Sequence, residues 1–381
     1  MKANPGGKIA PAEVIGRGEL ILGLWEILER QSLILSAERR MGKTSVIQKM
    51  CAEPRSNKLP IYHDLEFVRS PLEFVETVFK DVEEYLTGFK RNAKKTRALL
   101  TQLGGTEFSG FKLPEIAAPH WKALLTETIA DLVENQDPTI IFFWDEVPYM
   151  LGKIGDESAM ELLDTLRSIR QMYPAVRMVY TGSIGLHHVI GSLKKSGYRN
   201  DPTNDMYVQD VPPLSPKNAT DLARRLLEGE NISTPDIQGT AVFIADEVNY
   251  IPFYIHHIIA KVKQLGGLVD IPAIKAIIAE SLNDPLNPWM MQHYGDRLKT
   301  YYKDSQYLYA VNLLDILAVA DQPVVFDELF NRLKQESETQ DKEIARDVLR
   351  LLQQDYYIQK GDLGFQFRYP LIQKYWKSLR C

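Results

Sequence analysis

Leu33-Ile34-Leu35-Ser36-Ala37-Glu38-Arg39-Arg40-Met41-Gly42-Lys43-Thr44-Ser45-Val46-Ile47 is an apolar run, a polar turn and then Gly-Lys-Thr opening a helical pattern. Phosphate binding asks for this succession of parts: converging backbone N–H groups, a glycine that lets the main chain approach, a lysine for the terminal phosphates and a hydroxyl for Mg²⁺. Ala37, Arg40, Met41, Gly42, Lys43, Thr44 and Ser45 are therefore candidate nucleotide contacts, with Thr44 also a candidate metal ligand. The usual motif has glycine where Ala37 stands, so the loop departs from it at its first letter, and an ordinary strand-to-helix turn fits these residues equally well when taken alone.

A partner decides between the two. About 100 residues downstream, Thr139-Ile140-Ile141-Phe142-Phe143-Trp144-Asp145-Glu146 is a continuous apolar run ending in two acids. Such a run reads as a buried strand. Its end supplies what an ATPase site needs besides the loop: Asp145 to hold Mg²⁺ through water, and Glu146 to orient or deprotonate the attacking water. A third apolar run, Val176 to Tyr180, ends in Thr181-Gly182-Ser183. Thr181 and Ser183 are candidates to sense the γ-phosphate, Ser183 first. Arg167, Arg170 and Arg199 are the candidates for an arginine finger, with Arg170 carried among the site residues. Val14-Ile15-Gly16-Arg17 precedes the amphipathic run Leu20 to Leu28. Val14 and Arg17 are read either as nucleotide contacts or as a turn before a helix.

Composition bounds the class. The chain has 381 residues, 45% hydrophobic and 25% charged, with a formal net charge of −5. That is ordinary globular composition with room for two or three domains, and it argues against a surface built throughout for nucleic acid. Two cysteines, Cys51 and Cys381, make no disulfide framework. The first residues lack the apolar core of a signal peptide, and no run of about 18 apolar residues occurs, so a cytoplasmic protein without a membrane span is expected.

The expected fold class is α/β: a P-loop NTPase parallel sheet flanked by helices, then a helical lid and a C-terminal winged helix. The expected boundaries are a loose lead-in at 1–12, an ATPase core at 13–212, lid and connector at 213–300, and a winged helix at 301–381. Ser215-Pro216, Thr234-Pro235 and Ile251-Pro252 are helix starts in a segment without strand patterns. Beyond 300, three helical spacings precede two alternating runs about a Gly361-Asp362-Leu363-Gly364 turn. Residues 301–381 hold 11 Lys and Arg against 12 Asp and Glu, a poor balance for groove binding. The basic run Lys90 to Arg97 is a solvated helix face or, less favoured, a nucleic-acid contact.

The order of parts is also familiar. Glu38-Arg39-Arg40-Met41-Gly42-Lys43-Thr44-Ser45, Trp144-Asp145-Glu146, Thr181-Gly182-Ser183-Ile184-Gly185-Leu186, Asn204-Asp205 and Tyr250-Ile251-Pro252-Phe253-Tyr254-Ile255 together resemble the prokaryotic and archaeal ATPases of the STAND class, within the AAA+-like P-loop NTPases. The resemblance spans most of residues 14–380. It implies ATP or ADP with Mg²⁺ as ligands, a lid over the nucleotide with Pro252 touching adenine, and a molecular switch that engages a protein partner or itself through lid and winged helix. Two alternatives stand beside it: an ATP-controlled DNA-binding regulator, and a nucleotide-gated scaffold with little turnover, for which Ala37 is the supporting feature.

Overall fold

The computed structural model describes residues 1–83, 85, 95–96, 98–99, 115–182, 185–302, 305–336 and 341–381. The chain divides into two compact units, one of residues 10–211 and one of residues 1–9 with 212–381.

In the first unit, strands β1 (Leu33–Ser36), β2 (Lys58–Asp64), β3 (Thr139–Asp145), β4 (Val176–Tyr180) and β5 (Tyr207–Asp210) form a parallel sheet in the order β2-β3-β4-β1-β5. Among the described residues its helices are α1 (Gly18–Leu28), α2 (Lys43–Ala52), α3 (Pro71–Glu83), α4 (Trp121–Asn135), α5 (Val147–Lys153), α6 (Asp156–Met172) and α7 (Leu186–Lys195). Strand β3 is apolar at consecutive positions because both of its faces are covered. On one face Trp144 stacks on Phe142 and meets Phe74 of α3 edge-on, each at 5.1 Å. On the other, Phe143 meets Trp25 of α1 at 6.3 Å. Parallel strands gather their following loops at one edge of the sheet, so β1, β3 and β4 deliver their polar ends to the same side.

The second unit contains helices α8 (Pro216–Gly229), α9 (Ile237–Glu247), α10 (Pro252–Leu265), α11 (Ile271–Asn283), α12 (His293–Tyr301), α13 (Ser305–Ala318), α14 (Phe326–Glu336) and α15 (Lys342–Gln354), the antiparallel hairpin β6 (Ile358–Gly361) and β7 (Gly364–Phe367), and α16 (Pro370–Arg380). Several helices begin as their sequence asks: Ser215, Asp236, Asp270 and Asp341 each accept a hydrogen bond from a backbone N–H of the first turn. Val324 pairs with Phe365 through two hydrogen bonds, at 2.9 and 2.8 Å, adding a bridge to the hairpin edge.

Two expectations are corrected here. The boundary at 300 does not separate two bodies, because residues 212–381 form one compact unit. The Tyr357 hydroxyl donates to the Tyr294 carbonyl at 2.5 Å, the Tyr302 hydroxyl to Asp355 at 2.6 Å, and Arg297 to the Asp355 carbonyl at 2.8 Å. Leu371 N–H donates to the Asn249 side chain and Lys374 pairs with Glu247, both at 2.8 Å. The aromatic residues beyond 300 are thus buried against the helices before 300. The lead-in is not loose either. Its backbone donates from Ala3 to Glu230 at 2.8 Å and from Asn4 to His256 Nδ1 at 3.2 Å, and Lys2 reaches the Gly229 carbonyl at 2.5 Å.

His256 is 5% exposed, and burial pushes its pKa down to about 4. Its ordinary value is near 6.5, so the unfolded chain binds a proton there that the folded chain refuses. Stability from this group is full above about pH 6.5 and lost as pH falls toward 4, a loss of about 3 kcal/mol over that window. Urea unfolding of wild type and His256→Gln between pH 7 and 4.5 should converge as pH falls, and a constant difference would contradict this assignment.

Candidate nucleotide site

The turn between β1 and α2 carries its conformational demands at two residues. Arg40 has φ 74° and Gly42 has φ 88° with ψ 31°, so the left-handed positions fall late in the loop. Ala37 is not among the positive-φ residues, and its backbone makes no demand for glycine. The missing first glycine of the motif therefore carries no backbone strain here.

Lys43 is buried at the start of α2, and its Nζ spans the loop to donate to the Ala37 carbonyl at 2.9 Å. The Thr44 hydroxyl donates to Asp145 Oδ2 at 2.7 Å, joining residues 101 apart in sequence. This contact is made although β4 lies between β1 and β3 in the sheet, because the loop carries the first turn of α2 across the sheet's end. Asp145 is 5% exposed, and burial raises its carboxyl above the ordinary range against the opposing hydrogen bonds from Thr44 and Glu146 N–H. Mg²⁺ prefers oxygen ligands at about 2.0–2.1 Å in octahedral geometry, which sets neighbouring ligand oxygens about 3 Å apart. The Thr44 hydroxyl and the Asp145 carboxylate, 2.7 Å apart, are oxygen donors of that kind, one able to ligate directly and the other through water, and a cation would offset the burial of the carboxylate, so this donor pair fits Mg²⁺.

Glu146 follows in a left-handed conformation, φ 57° and ψ 30°, and its side chain is half-buried. The turn is held on both sides: Thr181 N–H donates to the Trp144 carbonyl and Val147 N–H to the Thr181 carbonyl, each at 3.1 Å. A Cβ at Gly182 would lie 2.7 Å from Pro148 and 3.5 Å from the Glu146 Cα, so only glycine lets the end of β4 approach this turn so closely. The Thr181 hydroxyl is buried and has no hydrogen-bond partner among the described residues. Ser183, the favoured γ-phosphate sensor in the sequence, lies outside the described residues.

The remaining candidates separate. Arg17 is buried beside the loop, and its Nη2 donates to the Met41 carbonyl at 2.7 Å. Val14 ends a short 3-10 turn, Pro11–Glu13, and is half-buried. Pro252 opens α10 in the second unit, after Ile251 as N-cap. Arg170 is a correction. Its Nε and Nη2 both donate to Asp205 at 2.8 Å, Nη1 donates to the Tyr180 hydroxyl at 2.9 Å, and Nη2 also reaches the Pro202 carbonyl at 2.6 Å. Burial opposes its charge, but Tyr180 and Asp205 outweigh that and leave its pKa raised. A guanidinium so occupied is a structural brace for the segment before β5, not a finger for phosphate. Of the basic run 90–97 only Lys95 and Thr96 are described: Lys95 pairs with Glu134 and the Thr96 hydroxyl donates to Asp131 at 2.8 Å.

Two acids that were not named among the candidate site residues stand beside them. Glu38 is buried within the loop and accepts from Arg39 N–H at 2.6 Å. Asp64 ends β2 in register with Asp145 and adds to the upward pressure on its carboxyl. The run Leu59 to Glu66 ends in acids, and that was the signal in the sequence for Asp64; Glu38 stands within the loop motif itself.

A parallel five-stranded α/β sheet with this loop at the end of β1 and an acidic end on β3 defines the P-loop NTPase fold. No family model and no curated protein sequence matches the chain. Among solved structures, it is similar to the Walker-type ATPase PABY2304 of Pyrococcus abyssi, with a TM-score of 0.72 at 15% identity over 99% of this chain and 100% of that one. It is also similar, far more loosely, to the RuvB Holliday junction branch migration motor of Thermotoga maritima, at TM-score 0.40 and 11% identity over 93% and 92% of the two chains. Among the described residues, no helix is long and apolar enough to cross a membrane.

Proposed function

We propose that this chain is a Mg²⁺-dependent ATPase of the STAND class, acting as a molecular switch for a protein partner or for its own association. The observation that supports the reading is the hydrogen bond between Thr44 and Asp145 beside the Lys43 loop, which brings together residues that follow two different strands. Backbone N–H groups of the loop and of the α2 N-terminus, with Lys43, would hold the phosphates. Thr44 and Asp145 would hold Mg²⁺, whose chemistry is to neutralise charge developing on the phosphate oxygens. Glu146 would orient or deprotonate the water, and Thr181 and Ser183, Ser183 first, are the candidates to sense the terminal phosphate.

The scaffold alternative loses its support, since Ala37 sits in ordinary backbone. The DNA alternative is weakened by helix α15, the third of the three helices before the hairpin that we read as a winged helix. Its Arg346 and Arg350 pair with Glu343 and Asp347 on the same helix, and Lys342 pairs with Asp327. Few cations remain there for phosphate groups.

Only a difference in affinity between two arrangements lets a nucleotide shift their balance. Because residues 212–381 form one compact unit, lid and winged helix should respond together. Hydrogen exchange with ADP and with a non-hydrolysable ATP analogue should differ around the chain crossings at 9–10 and 211–212 and at the start of α10 by Pro252, with no change at residues 294–302. Identical exchange in both states would remove the switch.

A further inference from the structure

We infer that Arg17 is a positioning residue of the phosphate loop: by holding the Met41 carbonyl it aims the Gly42 N–H into the phosphate cradle. This rests on the nucleotide reading above and assigns Arg17 a task different from touching nucleotide. No cis peptide occurs among the described residues, so the Met41 C=O and Gly42 N–H, in one trans plane, point in opposite directions. Arg17 Nη2 lies 2.7 Å from that oxygen. Wherever the carbonyl is drawn, the N–H is driven the other way.

The loop needs such a restraint. Arg40 and Gly42 both occupy left-handed backbone, and a glycine peptide turns over more readily than any other. A flipped Met41–Gly42 peptide would present a carbonyl oxygen to an anion in place of a donor. Arg17 is itself well fixed. It is 5% exposed, its carbonyl accepts from Ile21 N–H at 2.9 Å to start α1, and α1 is seated by Trp25 against Phe143 of β3. Burial lowers its pKa only to about 10, so the guanidinium stays charged at neutral pH and its bond to the carbonyl is charge-assisted.

The test compares wild type, Arg17→Met, Arg17→Lys and Lys43→Ala for affinity toward Mg-ATP and toward inorganic tripolyphosphate, with melting temperature measured without ligand. Arg17→Met should weaken both ligands by the same factor, about 10-fold or more, while its melting temperature holds, because an apolar side chain of similar length fills the buried site without a charge to desolvate. Arg17→Lys, which keeps one donor, should recover a large part of the affinity. Unchanged affinity in Arg17→Met would overturn the inference. So would a loss confined to ATP with tripolyphosphate unaffected, which would mark a base contact, or a loss that follows a lowered melting temperature and is not recovered by lysine. If wild type binds neither ligand, the nucleotide reading fails first.

Discussion

Lys43→Ala is expected to lower affinity for Mg-ATP by at least about 100-fold, taking charge-assisted bonds to phosphate at roughly 1.5–3 kcal/mol each. Lys43 is 8% exposed at the first position of α2, and its ammonium bonds to the Ala37 carbonyl within the same loop. Removing it deletes a charge the fold must desolvate, so the melting temperature of the nucleotide-free protein should change little. A loss of binding with an intact melting curve separates this effect from damage to the loop's fold. Isothermal titration against both proteins is the check.

Asp205→Ala is expected to produce the largest loss of stability. It strands the buried Arg170 guanidinium, which now makes two bonds to that carboxylate. Breaking a buried pair by removing one partner costs about 3–5 kcal/mol, and the low end applies because Asp205 remains part-exposed. For a unit of this size that is a fall of roughly 6–12 °C in melting temperature. Arg170→Met combined with Asp205→Leu should restore part of it, since no charge is then left unpaired. Unchanged stability in Asp205→Ala would show that solvent already satisfies Arg170.

The parts of the site that were legible in sequence are those with local grammar. Gly42-Lys43-Thr44 after Leu33–Ser36, and Asp145-Glu146 after five buried strand residues, are contiguous patterns from which that chemistry was expected. What was not legible depends on distant partners. Arg170 and Asp205 lie 35 residues apart and have no periodicity that links them, so Arg170 stood among the candidates for an arginine finger. The insertion of β4 between β1 and β3 is a matter of strand order, which the apolar runs do not encode. Residues 1–12 read as a loose lead-in because they are rich in glycine and proline, yet the backbone N–H groups of Ala3 and Asn4 find Glu230 and His256, over 220 residues away. The boundary at 300 failed for a related reason. Tyr294, Tyr302 and Tyr357 are buried together across the break between α12 and α13, where helical spacing no longer reports which faces meet. Ala37 looked like a defect because the motif is written in letters, whereas the backbone needs its left-handed residues at Arg40 and Gly42.

The division of labour between Lys43 and Glu146 bears most directly on the nucleotide reading. Mg-ATP titration and turnover should be measured on Glu146→Gln beside wild type and Lys43→Ala. Glu146→Gln keeps the side chain's shape and loses only the base, so it should bind Mg-ATP within a few-fold of wild type and turn it over about 100-fold more slowly or less, in keeping with the usual contribution of a general base. Wild-type turnover in Glu146→Gln, or equal affinity for Mg-ATP in Lys43→Ala and wild type, would contradict the assignment of this site.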